Sequence, residues 1–308
     1  MKMIVSDLSQ IEPRVLAWLV KDKVALASMA AGDSPYVAHA KASMSWNPEN
    51  PKWVKGDLKK EDSGIYALAK VRVLGLGYGA GWRKFITMAK SMAGLDITTG
   101  DPEWEPAFTR DGDPFICADG TQKMVSGYGQ NSRRIVKEFR DSNPGVTGLW
   151  GSLDAAFKSA VGGDFTLELP SGRKMVYKNV RSEWKLVPRS EDEDPLLRRP
   201  NEADVPIGFK RKLCFTADIG GARSTLYGGL LTENLVQATA RDVFAFHLLR
   251  LHETPGIHVL FSIHDEAVVE AASHITAKDV QDIMSVTPPW LAGCPISAEA
   301  KEVPCYEK

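Results

Sequence analysis

Apolar positions along the chain follow two periods, and together they predict a mixed helix-and-strand order. Lys2 to Val5 predict a short strand. Gln10 to Val20 predict a helix, with Ile11, Val15, Leu16 and Leu19 at helical spacing and Pro13 in the first turn, where its missing N–H is tolerated. Asp62 to Tyr78 predict a second helix, apolar at Ile65, Leu68, Ala69, Val73, Leu74 and Leu76, which Gly75, Gly77, Gly79 and Gly81 thin out and end. Further helices are predicted over Ile86 to Ala93 and Asn131 to Asp141, and from Asn143-Pro144 toward Ala160. Phe165 to Leu169 and Arg173 to Tyr177 flank Pro170-Ser171-Gly172 as a β-hairpin. Lys178 to Lys212 is charge-dense and poor in apolar residues, so the expectation there is an extended excursion or flexible loop outside the core. Leu230 to Leu251 predict a long amphipathic helix. Ile257 to Ile263 and Ala267 to Ala271 predict strands around a tight His264-Asp265-Glu266 turn. Ala277 to Met284 predict a final helix, and Ser297 to Val303 a strand that closes the sheet. No internal repeat is present.

Composition narrows this little. The 308 residues are 44% hydrophobic and 25% charged, the profile of a soluble globular chain of one large or two modest domains. A net charge of −1 announces no nucleic-acid partner, so a surface for DNA has to be local, with acids segregated elsewhere. Cys117, Cys214, Cys294 and Cys305 are widely spaced without a CxxC pair, which argues against a zinc knuckle or a disulfide framework and for reduced thiols. No run of 18 apolar residues and no signal-peptide pattern exist, so the expected location is a cytoplasm, with no membrane association.

Two acidic sites stand at strand ends: Asp7 after KMIVS, and Asp265-Glu266 between LFSI and AVVE. A lone strand-end acid is commonly a cap or turn residue. Two adjacent acids at a hairpin tip are less ordinary, because hairpin turns favour Asn-Gly or Asp-Gly, and neighbouring carboxylates repel unless a cation neutralises them. Oxygen ligands with one or two carboxylates suit Mg²⁺, which keeps waters and shares substrate phosphates. If the first strand lies beside the hairpin, Asp7 and Asp265 can jointly hold two ions about 4 Å apart, the arrangement of two-metal phosphoryl transfer. Lys70, Leu74 and Tyr78 fall at i, i+4 and i+8, one stripe of an α-helix suited to a triphosphate, a sugar and a base. The alternative is a packing stripe with a snorkelling lysine. The run LGLGYGAG lacks the GK[ST] and GxGxxG patterns of phosphate loops.

SDLSQIEPRVLAWL resembles motif A of the family A DNA polymerases, KVRVLGLGYG resembles motif B, and SIHDEAVVE resembles motif C, in the family's order. TLYGGLLTENLVQATARDV, LPSGRKMVY and DSNPGVTGLW resemble phage members, and the resemblance runs from Met3 to about Lys301. It implies an α+β fold. A polymerase palm, an antiparallel sheet with packed helices, would occupy 1–45 (motif A part) and 163–308 (hairpin excursion and motif C part). Largely helical fingers would occupy 46–162. No DxE exonuclease motif stands in a strand context, and the chain starts with Met just before motif A. The expectation is therefore palm and fingers without thumb or exonuclease domain, a fragment or one half of a split polymerase whose N-terminal chain supplies the thumb.

The resemblance also implies roles. Asp7 and Asp265, with the Leu8 carbonyl, would bind two Mg²⁺ ions, Mn²⁺ being an alternative, and Glu266 would support that site. Lys70 would contact the triphosphate and protonate pyrophosphate. Tyr78 would stack near the template base, and Glu12 would be the steric gate against a ribose 2′-OH. Gln237 would read the minor groove, where acceptors are placed similarly in all base pairs, and His264 would approach the primer terminus. Arg14 and Arg241 would make DNA or structural contacts. The implied partners are primer–template DNA and dNTP, and the implied location is the cytoplasm of a bacterial or phage-infected host. The sequence departs from the family at Tyr66, where motif B has an arginine, leaving Lys59, Lys60, Arg72 or Arg83 to compensate. It departs also at Leu8, Pro13 and Leu74, the last at a position that influences sugar selection. Rival readings are a non-catalytic fragment that binds DNA or a replication partner, a two-metal nuclease, and a phage-type RNA polymerase.

Overall fold

The computed structural model describes residues 1–46, 58–106, 114, 116, 120–122, 124–189 and 204–306. Its centre is a four-stranded antiparallel sheet in the order β10-β1-β9-β8, built from β1 (Lys2–Leu8), β8 (Ile257–Ile263), β9 (Glu266–Ala271) and β10 (Ala298–Val303). The first strand is thus longer than its apolar residues predict. Asp7 lies within it and not beyond it, because both neighbours pair with it as far as its last residues. The turn between β8 and β9 is the two-residue His264-Asp265, and Glu266 already belongs to β9.

One face of this sheet packs on a 26-residue helix, α9 (Gly228–Glu253), the longest in the described chain. Ile4 and Leu8 of β1 and Ala267 and Val269 of β9 meet Val236, Val243, Phe244 and Leu251 in one buried cluster. This cluster also takes Ile11, Val15 and Leu16 from α1 (Ile11–Leu19). Burying ten or so such side chains, at about 1.5–3 kcal/mol each, makes this the main reservoir of apolar stabilisation. Two short helices that the apolar pattern left unassigned, α2 (Lys23–Ala30) and α3 (Pro35–Ser43), follow α1; Asp22 and Ser34 cap them by accepting from the N–H groups of Ala25 and Val37.

The second predicted helix is not uniform. After α4 (Leu58–Glu61), α5 (Ser63–Val71) is α-helical, but Arg72–Leu76 wind as a π-helix, and the chain then turns through Gly77 to Gly79. The π-turn carries extra residues per turn, so Lys70, Leu74 and Tyr78 do not share the single stripe that α-helical spacing implies. Helices α6 (Trp82–Ala93), α7 (Gln130–Ser142) and α8 (Pro144–Ser159) complete this unit, with a small β2 (Trp104–Pro106) and β3 (Met124–Ser126) pair beside them.

The region expected to be loop is partly strand. β4 (Phe165–Glu168), β5 (Lys174–Pro188), β6 (Phe209–Ile219) and β7 (Ala222–Thr225) form a second four-stranded antiparallel sheet in chain order. The alternation of charged and apolar residues along β5 and β6 is a ribbon pattern, masked in the sequence by overall charge density. The acidic SEDEDP and the RRPNE segment lie outside the described residues. Cys214, Cys294 and Cys305 are free thiols, the first two buried; Cys117 is outside the description.

The joint between the helical unit and α9 is made by backbone contact. A Cβ on Gly228 would sit 2.0 Å from the Trp150 carbonyl oxygen, and one on Gly229 would sit 2.4 Å from that of Tyr78. Asp154 accepts from the Gly228 N–H, and Trp150 Nε1 donates to the Gly77 carbonyl at 2.9 Å. Alanine in place of a helical glycine ordinarily stabilises by up to about 1 kcal/mol; here the sign reverses. Gly229→Ala is expected to cost about 1–3 kcal/mol by overpacking, and Gly148→Ala, with open space around it in α8, is expected to cost nothing. Thermal melting of the two variants checks this.

Candidate active site

The central sheet dictates the charge arrangement. β1 lies between β9 and β10, and the register sets Asp7 directly opposite Glu266 on one side and Glu299 on the other. Directly opposed residues share a face with their Cβ atoms about 5 Å apart. Asp265 follows at the adjoining turn, where the Leu8 N–H donates to the Asp265 carbonyl at 3.3 Å. The strand that carries Asp7 and the hairpin that carries Asp265 are therefore stapled through their backbones.

Asp7 responds as elementary electrostatics requires. Its pKa rises from 3.8 to about 6, through partial desolvation first, then repulsion from Asp265, Glu266 and Glu299, then a hydrogen bond with Asp265. Asp7 is exposed as a residue, yet its carboxyl is partly desolvated and crowded by like charge; a divalent cation can relieve that repulsion. Among the described residues no three or more His, Cys, Asp or Glu side chains form a ready-made metal cage. The donor set thus fits an ion held by two carboxylates and completed by water and phosphate oxygens, the way Mg²⁺ is commonly bound.

A cavity of about 450 Å³ opens beside Asp265; Asp7, Glu266 and Glu299 are not among its lining residues. It is lined by Glu12, Leu74, Gln237, His264 and Asp265 from the expected set, together with Gln10, Tyr36 and Arg241. One side comes from α1, one from the π-turn, one from α9 and one from the β8–β9 turn, so the three sequence motifs meet at a single place. Glu12 accepts a hydrogen bond from Gln237, but burial and the charges of Glu233 and Asp265 raise its pKa overall. Arg241 donates to the His264 carbonyl at 3.4 Å and lies over the Phe244 ring. Gln10 and His264, both lining the cavity, have left-handed backbones, at φ 48° and 54°. Non-glycine residues are uncommon there, and strain of this kind clusters at functional sites. A second cavity of about 340 Å³, between α1–α3 and the α7–α8 junction, is mostly apolar and gathers no such carboxylates.

Other expected residues lie elsewhere. Tyr78 is 8% exposed and belongs to the buried cluster of the central sheet and α9 with Ile11, Val236 and Ala240. Its phenol is pushed well above the usual range by burial, then by Glu12, Glu233 and Tyr36, which places it under the cavity floor next to Glu12. Lys70 sits on α5 and is not among the residues lining the cavity. Arg14 is buried, donating to the carbonyls of Ser9 at 2.8 Å and Pro295 at 2.9 Å; of its two expected uses it takes the structural one, bracing the loop after β1. Arg72 is 3% exposed, its Nε and one Nη without hydrogen-bond partners among the described residues, and it helps depress buried His39 to about 3, burial being the larger cause. An arginine so enclosed is not a surface cation, so Arg72 does not stand in for the motif B arginine at Tyr66. Lys59 and Lys60 are exposed on α4, and Arg83 stacks over Trp82 at 4.2 Å.

Four neighbours escaped the sequence reading: Glu299, Glu233, Tyr36 and Tyr306. Tyr306 donates to Glu266 Oε1 at 2.8 Å and meets the Phe261 ring edge-on at 5.2 Å, so the segment after β10 returns to the acidic cluster. Only Glu233 had a local signal, one turn of α9 before Gln237. The others come from pairings hundreds of residues apart or from elements the apolar pattern did not reveal.

No protein-family model matches the chain. Over 309 residues it is 28% identical to the DNA polymerase of Bacillus phage SP02, an alignment that covers 99% of this chain and 41% of the phage protein. Its fold is similar to that of the POL domain of Pol1 from M. smegmatis, solved in complex with DNA primer-template and dNTP. The TM-score is 0.56 at 14% identity, over 98% of this chain and 39% of that one. The chain is a relative of a phage DNA polymerase, carries the fold of a polymerase domain, and spans about two-fifths of the length of these proteins. No helix among the described residues is long and apolar enough to cross a membrane.

Because the folded state holds the Asp7 proton more tightly than the unfolded chain does, this group's contribution to stability is full below about pH 4. It is lost as pH rises from there through about 6. Without divalent cation, Asp7→Asn is expected to raise Tm at pH 7–8 by relieving repulsion, and the gain is expected to vanish near pH 4. Added Mg²⁺ should raise the Tm of the wild type more than that of the variant. Calorimetry across pH, with and without Mg²⁺, measures both.

Proposed function

We propose that this chain is the catalytic portion of a template-directed DNA polymerase of family A, adding dNMP from a dNTP to a primer 3′-OH. The observation that supports it best is the convergence of Asp7 and Asp265 beside the cavity that also gathers Glu12, Leu74, Gln237 and His264. The 28% identity to a phage DNA polymerase over the whole chain points the same way.

In this reading residues 1–45 and 163–308 are palm and 46–162 are fingers. Asp7 and Asp265, with the Leu8 carbonyl, are the ligands for divalent cations, and Glu266, held by Tyr306, keeps the cluster anionic. Such ions would supply Lewis acidity toward the attacking hydroxyl and the leaving pyrophosphate. The chain's own work is positioning. Glu12 occupies the floor of the cavity, fixed by Gln237 and backed by the buried Tyr78, so a ribose 2′-OH would meet a desolvated carboxylate. Leu74 from the π-turn closes the cavity on the sugar side. Gln237, exposed one turn after Glu233, is set to reach a minor-groove acceptor, and His264 at the strained turn faces the primer end. Lys70 takes the triphosphate if the helix carrying it moves toward the cleft. Domain closure is a common step in enzymes of this kind, and the π-turn between Lys70 and the glycines is a natural place for it.

The proposed partners are primer–template DNA, dNTP and an N-terminal polymerase chain that supplies a thumb. The proposed setting is the cytoplasm of a bacterial or phage-infected cell.

Primer extension by wild type and Asp265→Ala, alone and with such an N-terminal polypeptide, tests the assignment. Asp265→Ala is expected to lower nucleotide addition by a factor on the order of 10³ with an unchanged far-UV spectrum; equal extension by both proteins would falsify the catalytic reading. Release of nucleotides in the absence of dNTP would favour a nuclease instead. Glu12→Ala is expected to raise the rNTP/dNTP incorporation ratio by about tenfold or more, the scale of one lost steric contact worth 1–3 kcal/mol. An unchanged ratio would remove Glu12 from the gate.

A further inference from the structure

We propose that the outer half of the β5–β6 ribbon is a sequence-independent binding surface for the phosphate backbone of duplex DNA. The inference rests on the polymerase reading only for the identity of the polymer.

The chain as a whole carries a net charge of −1, yet β5, β6 and β7 hold eight Lys and Arg against two acids, Glu183 and Asp218. Both acids are already engaged, Glu183 with Lys185 and Asp218 with Arg223, each at 3.2 Å. The register sorts the rest. Arg181, Lys185, Lys210 and Lys212 share one face with the single acid Glu183, Lys185 standing directly opposite Lys212, while Arg211 falls on the other face, ion-paired with Asp204. Like charges opposed across a ladder are destabilising, and an anion bridging them removes that cost. Trp184, Leu186, Leu213 and Phe209 fall on the other face, Trp184 being 61% exposed.

This separation selects the ligand. Single strands are held by aromatic rings that stack bases next to cations that track phosphates. Here the exposed tryptophan and four of the cations point to opposite sides, and Arg211, the cation on the tryptophan side, is ion-paired with Asp204, so stacking and free charge do not act together on one strand. A duplex presents only its phosphate backbone to such a face and needs nothing but the cations.

The ribbon is also placed and sized for the task. Its root is fixed to α9: Arg173 Nε donates to Asp242 at 2.8 Å, and Asn234 Nδ2 donates to the Tyr177 hydroxyl at 3.1 Å. Gln237 and Arg241 of the same helix line the cavity described above. Tyr177, Val180 and Ala217 anchor the root in a buried cluster, and no residue of β5 beyond Val180 joins one. The eight residues of β5 beyond Val180 extend roughly 26 Å, about the length of 8 base pairs. A duplex whose end occupies the cleft thus has a cationic rail within reach.

The test is fluorescence anisotropy of the intact chain with a labelled 20-base-pair duplex and with one of its strands, without dNTP, over a range of salt. Replacing Arg181, Lys185 and Lys212 together by Gln is expected to weaken duplex binding about tenfold near 0.1 M salt. The slope of log K against log salt should become shallower by about 2–3, one counterion contribution per lost contact. The charge-preserving Lys185→Arg/Lys212→Arg variant should bind like wild type, and all three proteins should melt alike. Nucleotide addition at saturating duplex should survive in the Gln variant. Unchanged duplex affinity in that variant overturns the proposal. Equal losses on duplex and single strand overturn the choice of duplex. A wild type that binds DNA but adds no nucleotide defeats the catalytic reading and leaves this one standing.

Discussion

At the end of β1, Asp7 has Glu266 on one side, Glu299 on the other, and Asp265 one residue further along the neighbouring turn. Backbone pairing on both flanks leaves these side chains no way to separate, because a register slip of one residue would turn Ile4 and Leu8 out of the core and into water. The apolar face of the strand thereby enforces the acidity of the other. Repulsion is held in place by hydrophobic burial, and the raised affinity of Asp7 for a proton is its visible sign.

The second constraint is the closeness of two backbones. Gly228 and Gly229 let the start of α9 touch the carbonyls of Trp150 and Tyr78, and Trp150 reaches back to Gly77. The helical unit and the start of α9 are thus joined at the foot of the π-turn, while Leu74 lines the cavity.

Much of this was legible in the sequence where signals are local. Ile257–Ile263 and Ala277–Met284 fall at their expected bounds, because strict periodicity is bracketed by a glycine on one side and a capping threonine, Thr276, on the other. The meeting of Asp7 with Asp265 was legible only through the motifs, since nothing in either segment specifies a partner more than 250 residues away. What could not be read has physical reasons. The π-turn keeps an α-helical apolar spacing on paper, yet moves Tyr78 into the core and Lys70 off the cavity. Arg14 and Arg72 look like surface cations in a string of letters, and only burial distinguishes a brace and an enclosed charge from a phosphate ligand. The long ribbon was hidden because its two faces carry opposite chemistry, which averages to an ordinary loop composition.

Gln10 and His264 hold left-handed backbones that glycine would adopt without penalty. For any residue with a Cβ, that conformation is uphill by roughly 1–2 kcal/mol. A chain optimised for thermostability alone would drift to glycine at both places. This chain carries a side chain at both places despite that cost, and both line the cavity. A library screened first for heat resistance and then for activity would see these two positions diverge in opposite directions.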